Sequence, residues 1–143
     1  MTIYSSHPMS KQLGPEEVLW VKKDQGISCC GRIPQESEFF KDHFPGFPIL
    51  PGVLALEMLK QSADLYIRHV YESDRYVCSV KKITAVKFSH YLKPGEEWES
   101  LLRLDFQEGE TYKWVGQLLH QGQVAVSAKL ILQVIKVQPA ILI

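Results

Sequence analysis

The sequence predicts an α+β fold in which one long helix is enclosed by an antiparallel sheet. Two observations carry this. Only Gly52–Tyr71 has the length and composition of a long helix, and its first half, with Val53, Leu54, Ala55, Leu56, Met58 and Leu59, is apolar nearly all round. A helix with no polar face is a buried helix. The C-terminal half is built of strands instead. Val124, Val126, Ala128, Leu130, Leu132 and Val134 alternate over eleven residues, the period of a half-buried strand. A buried helix beside a meander of long strands is an α+β pattern. The 143 residues make one domain, 1–143, large enough for a core of its own.

The elements follow in order. Residues 1–15 are polar, with Pro8, Gly14 and Pro15, and predict a loose lead-in. Residues 18–23 and 27–33 are short β-like runs around an Asp24-Gln25-Gly26 turn. Residues 34–42 form a connector, and a proline-rich loop leads to the helix. Pro51 suits a helix start. The later turns carry Lys60, Asp64, Arg68 and Glu72 and are expected to be more exposed than the first. Strands follow from about residue 76. Trp98, Ser100, Leu102, Leu104 and Phe106 share one face of a strand, opposite Glu99, Arg103 and Asp105. Turns are expected around Gly109 and Gly122, with a strand over 112–120 between them. Trp20, Trp98 and Trp114 are most simply core residues, although one could line a ligand tunnel.

Composition narrows the function classes. The chain is 45% hydrophobic and 22% charged with zero formal net charge. No overall field points to nucleic acid or to an anionic membrane, and no apolar run approaches the length of a membrane span. Residues 1–10 lack the apolar core of a signal peptide. Cys29, Cys30 and Cys78 are an odd count without metal-type spacing, and read as reduced, strand-packed thiols of a cytoplasmic protein. No metal or other cofactor is expected.

The most informative stretch runs from His43 to Glu57. His43 and Phe44 open a loop stiffened by Pro45, Pro48 and Pro51; Gly52 stands where the helix begins, and Glu57 lies inside it. Imidazole exchanges a proton near neutral pH. A carboxyl among Val, Leu and Met has a raised pKa, because desolvation disfavours its charge. A helix N-terminus presents free N–H groups to a developing negative charge. These are the parts needed to move protons next to a carbonyl. Gln61 lies one turn after Glu57 and can hydrogen-bond to it. His7, His69, His90 and His120 have no partner evident in the sequence.

The pattern His-Phe-Pro-Gly-x-Pro-x-x-Pro-Gly-Val-Leu-x-x-Glu, with ten fixed positions and fourteen residues from His43 to Glu57, resembles the active-site signature of the 3-hydroxyacyl-(acyl carrier protein) dehydratases, the FabZ/FabA-like hotdog proteins. Gln61 fits the glutamine that commonly follows the acid, and Ile83, Phe88, Pro94 and Gly95 echo a family strand. The resemblance implies a hotdog fold and a base role for His43 towards an acyl thioester. It implies a backbone N–H donor at Gly52 and an acid role for Glu57, with Phe44, Pro51 and Gln61 in support. It also implies an acyl carrier protein as partner, and a homodimer, or a multiple of it, in which His43 and Glu57 of different subunits meet. Activity without dehydration, as a thioesterase or a non-catalytic acyl binder, is the alternative.

The chain departs from the family in lacking its N-terminal motif and in Phe47, Met58 and Lys60. Lys60 could pair with Glu57 at i+3 or extend its stem outwards into water; the apolar surroundings favour the outward course. Lys81, Lys82, Lys87 and Arg103 read as a solvated sheet face, or as a docking patch for an acidic carrier.

Overall fold

The computed structural model describes residues 13–35 and 49–138. The lead-in up to residue 12, most of the connector and the motif loop with His43, Phe44 and Phe47 lie outside the described residues.

The chain order is β1 (Glu17–Lys22), β2 (Gly26–Arg32), α1 (Gly52–Tyr71), β3 (Tyr76–Phe88), β4 (Glu97–Glu108), β5 (Thr111–His120) and β6 (Gln123–Lys136). The strands form one sheet in the order β1-β2-β4-β5-β6-β3, every pair antiparallel. The helix packs against five strands of this sheet, β2 to β6, which is the expected hotdog arrangement. Both hairpins of the C-terminal meander turn where glycine was expected to turn them, with Gly109 at φ 59° and Gly122 at φ 78°.

The core is the seam between helix and sheet. Ala55, Met58, Leu59, Ala63, Tyr66 and Ile67 from α1 meet Trp98, Leu102, Trp114, Leu118, Leu130 and Leu132 from the strands, all buried. Tyr66 stands edge-on to Trp114 at 4.8 Å between ring centres, and Tyr112 stacks on Trp114 at 6.1 Å. Such aromatic pairs add about 0.5–1.5 kcal/mol beyond their burial. Gly116 allows the close approach. A Cβ there would lie 2.8 Å from Leu102 Cδ2, 3.1 Å from Leu130 Cδ1 and 3.4 Å from Leu59 Cδ1. The Tyr66 hydroxyl also accepts the Asp24 amide at 2.9 Å, tying the β1–β2 turn to the helix. The helix ends at Glu72, with φ 53°, whose N–H and that of Ser73 close on His69 O and Arg68 O. This left-handed closure satisfies carbonyls that have no helical partner.

Several expectations need correction. Trp20 is 38% exposed, because β1 is an edge strand that packs only on β2 and its register shifts between Val18 and Trp20. Trp98 and Trp114 are core. The shared face of β4 stops early: the register shifts between Leu104 and Phe106, and Phe106 is 56% exposed. One extra residue in a strand sends the following side chains to the opposite side. The basic group does not gather into one cluster. Arg103 is on β4 and the three lysines on β3, with β5 and β6 between them, a span of about 14 Å at ordinary strand spacing.

The burial of the helix is also redistributed. In the first half Val53 is 76% exposed and Leu54 and Leu56 are only half-buried, whereas Lys60 and Asp64, expected at the surface, are buried. Arg68 is half-buried, and only Glu72 of the four is exposed. The three cysteines are free thiols on β2 and β3; Cys29 and Cys78 are buried and Cys30 is half-buried. No helix among the described residues is long and apolar enough to cross a membrane.

Candidate active site

Pro51 carries the chain into α1 with extended backbone, φ −59° and ψ 139°, and its carbonyl accepts the amides of Leu54 at 3.0 Å and Ala55 at 3.3 Å. The amide of Gly52 precedes these bonds, where a helix has no acceptor of its own to offer. No carboxylate stands in the first turn, so the positive end of the helix dipole is not offset by a side chain.

Gly52 also sits under the ring of Phe88, at the end of β3. A Cβ at position 52 would lie 2.6 Å from Phe88 Cζ and 2.7 Å from Cε1. A larger residue would fit here only if the Phe88 ring moved aside. Gly52 and Ala55 form one side of a pocket of about 310 Å³ completed by Ile49, Leu50, Phe88, His90, Tyr91, Leu92 and Val126. Its lining is mainly apolar, and it opens at the helix start.

Glu57 lies one and a half turns further on, half-buried. Burial pushes its pKa above the ordinary carboxylate value. The Asp64 charge adds to the rise, and a hydrogen bond from Gln61 opposes it. That bond runs from Gln61 Nε2 to Glu57 Oε1 at 3.4 Å, so Gln61 does face Glu57 from one turn below.

Lys60 takes neither course expected of it. It does not extend into water, being 2% exposed, and it is not paired with Glu57. Its Nζ lies 2.8 Å from Asp64 Oδ2, one turn further from the helix start. Asp64 Oδ1 accepts the Cys78 amide of β3 at 2.7 Å. Burial works against charge on both partners, raising the Asp64 pKa and lowering that of Lys60, while each helps to keep the other charged.

Of the expected site residues, the structure places Gly52, Glu57 and Gln61 on the first half of one helix, with Pro51 just before it. His43 and Phe44 are outside the described residues. Sequence reasoning missed Phe88, which packs on Gly52, and Asp64, which takes up Lys60. It also missed His90 and Tyr91 at the pocket. Phe88 had a signal, because it belongs to the strand that echoes the family; Asp64 had none beyond its i+4 spacing from Lys60. His120, expected without a partner, has its Nε2 2.7 Å from Glu96 Oε2 and its Nδ1 2.6 Å from the Glu97 carbonyl. Among the described residues, no three His, Cys, Asp or Glu side chains converge as a metal ion would need.

Fold and helix together define a hotdog protein with an acid-bearing central helix. The sequence model of the ApeI-like family, described as ApeI dehydratase, matches residues 20–129. The chain therefore belongs to the ApeI-like dehydratase family, as a divergent member. It is 27% identical over 115 residues to the 3-hydroxyacyl-[acyl-carrier-protein] dehydratase FabZ of Polynucleobacter necessarius, covering 80% of this chain and 77% of that one. The FabZ of Lactobacillus helveticus is 29% identical over 106 residues, covering 74% and 72%. Among solved structures, the dehydratase heterocomplex ApeI:P of Xenorhabdus doucetiae superposes with a TM-score of 0.68 at 18% identity, covering 94% of this chain and 93% of that one. A mutant of thioesterase PA1618 from Pseudomonas aeruginosa does so with a TM-score of 0.59 at 12% identity, covering 82% and 79%. At these identities the structures speak for the fold alone.

Proposed function

We propose that the chain removes water from a 3-hydroxyacyl thioester, giving the trans-2-enoyl thioester. His43 takes the proton on C2, and the Gly52 N–H stabilises the negative charge that develops on the thioester oxygen. Protonated Glu57 gives its proton to the C3 hydroxyl, the C3–O bond breaks and water leaves. A single oxyanion donor is worth about 3 kcal/mol in such a transition state. The observation that carries this reading is Glu57 itself, a half-buried carboxyl whose pKa is raised by burial, in the helix whose acid-free start borders an apolar pocket. A carboxyl that must hold a proton near neutral pH needs such a setting.

The carrier proposed is an acyl carrier protein, by analogy with the FabZ relatives named for it. Lys81, Lys82 and Lys87 are exposed on β3 and Lys129 on the adjoining β6, a basic strip suited to an acidic partner. The site is proposed to be completed by a second copy. β3 is an edge strand whose outer half is exposed, except for the half-buried Ile83, and an exposed edge is a template for pairing. The setting proposed is the cytoplasm.

The test uses short and medium 3-hydroxyacyl thioesters. Dehydration produces enoyl absorbance, whereas release of free thiol identifies a thioesterase and binding with neither identifies a carrier of acyl groups. Sedimentation of a stable, fully active monomer at micromolar concentration would remove the shared site.

A further inference from the structure

Glu57, Lys60 and Asp64 lie at i, i+3 and i+7, on one stripe of α1. Among the described residues, Lys60 therefore has two carboxyls within reach, one on either side. Its intrinsic bias favours Glu57. Long helical side chains lean towards the N-terminus, and an ion pair is better placed when the acid precedes the base. The structure shows the other choice, with Nζ 2.8 Å from Asp64 Oδ2. Asp64 wins because its carboxyl is already aimed: Oδ1 is fixed by the Cys78 amide at 2.7 Å, and the second oxygen is left facing the lysine.

We propose that Asp64 is a positioning residue, holding the Lys60 ammonium one turn below Glu57 and so off the carboxyl that serves as the acid. The proposal rests on the acid role given to Glu57 above. An ammonium within hydrogen-bond reach lowers a carboxyl pKa by about one unit or more and would leave Glu57 without its proton at neutral pH. The family chemistry can thus coexist with a buried lysine three residues after the acid. Among the described residues, the other titratable groups acting on this stripe are Arg68, a turn below Asp64, and Cys78, facing it from β3. Cys78 is buried and its thiol pKa is pushed far up, so it brings no charge of its own. Arg68 Nε is buried without an acceptor, and the Arg68 charge favours the charged form of Asp64, less strongly than that of Lys60 does.

The experiment is a carbon-13 titration of glutamate-labelled full-length protein. The Glu57 signal is assigned by its loss in Glu57→Gln. Wild type is compared with Asp64→Asn, which keeps an oxygen for the Cys78 amide, and with Lys60→Met/Asp64→Asn. In Asp64→Asn the Glu57 midpoint should fall by about one unit or more. In the double variant it should return towards wild type, because the ammonium that Asp64 restrained is gone. A midpoint that does not fall in folded Asp64→Asn overturns the proposal, as does a double variant no closer to wild type than the single one. Should Asp64→Asn not fold, Asp64→Ser carries the same expectations. The alkaline limb of any dehydration profile should move with the midpoint. The expected titration pattern in a protein that dehydrates nothing would uphold the positioning role and reject the function proposed for Glu57.

Discussion

The two halves of α1 differ in a way that hydropathy alone does not predict. From Gly52 to Gln61 the helix is rich in apolar residues, yet Val53 is 76% exposed and Leu54, Leu56 and Glu57 are only half-covered. From Ser62 to Tyr71 it carries Ser, Asp, Tyr and Arg, yet Ser62, Asp64 and Tyr66 are buried and each is hydrogen-bonded. A buried polar group is stable only with its partner in place, and Ser62, Asp64 and Tyr66 have those partners. The second half is the structural half. The first half keeps an acid-free helix start, a raised carboxyl pKa and apolar surface open for something else to cover. That is where chemistry and assembly should lie.

The largest effects expected belong to the first half and to the motif that leads into it. His43→Ala and Glu57→Ala should each lower enoyl formation by about 10²–10⁴ and leave the melting temperature near wild type, read by circular dichroism. Mixing the two inactive variants should restore part of the activity if sites are shared between copies. Near-normal turnover in Glu57→Ala would erase the functional distinction between the halves.

The next effect belongs to the core that supports both. Leu59→Ala should cost about 2–5 kcal/mol, measured by urea unfolding, because Leu59 is fully buried under Gly116. Gly116→Ala acts on the same contact from the other side. It forces one methyl group against Leu102 and Leu130 and should cost about 1–3 kcal/mol.

Ser62→Ala sharpens the contrast more finely. Its hydroxyl lies 2.7 Å from that of Ser100, and both side chains are fully buried. Removing the Ser62 hydroxyl leaves Ser100 with the Cys29 thiol, a weaker partner, and should cost about 0.5–1.5 kcal/mol, with kcat/KM unchanged. A loss of activity greater than the loss of folded protein would mean that the Ser62–Ser100 contact, and not Asp64 alone, reaches the chemistry.

How much of this was legible follows the same division. The helix bounds, the C-terminal strands and the glycine turns could be read because each rests on local periodicity or on a turn residue. The motif from His43 to Glu57 could be read because its spacing is local too. What could not be read depends on registers and partners distant in sequence. The Leu104/Phe106 shift moves Phe106 off its face, and the Cys78 amide, fourteen residues from Asp64, makes Asp64 a buried acceptor. The exposure of Lys60 was misjudged for that reason, since a lysine is expected in water unless a buried counter-charge is known to await it.

The smallest effect expected concerns Gln61. Its amide donates to Glu57 Oε1 at 3.4 Å, a long bond. Such a donor favours the charged carboxylate and so works against the rise that burial causes. In Gln61→Met the donor is lost while side-chain bulk is kept, so the Glu57 pKa should rise further. An acid works in its protonated form, and a higher pKa keeps it protonated to higher pH. The alkaline limb of the dehydration profile should therefore move upward, opposite in sign to Asp64→Asn, with the plateau rate little changed. The two variants lie on the same stripe and differ only in which charge state of Glu57 they favour. A downward shift in Gln61→Met would mean that the amide oxygen, not the nitrogen, faces the acid and stabilises its protonated form. A limb that stays in place would mean that the Gln61 amide does not bear on the acid.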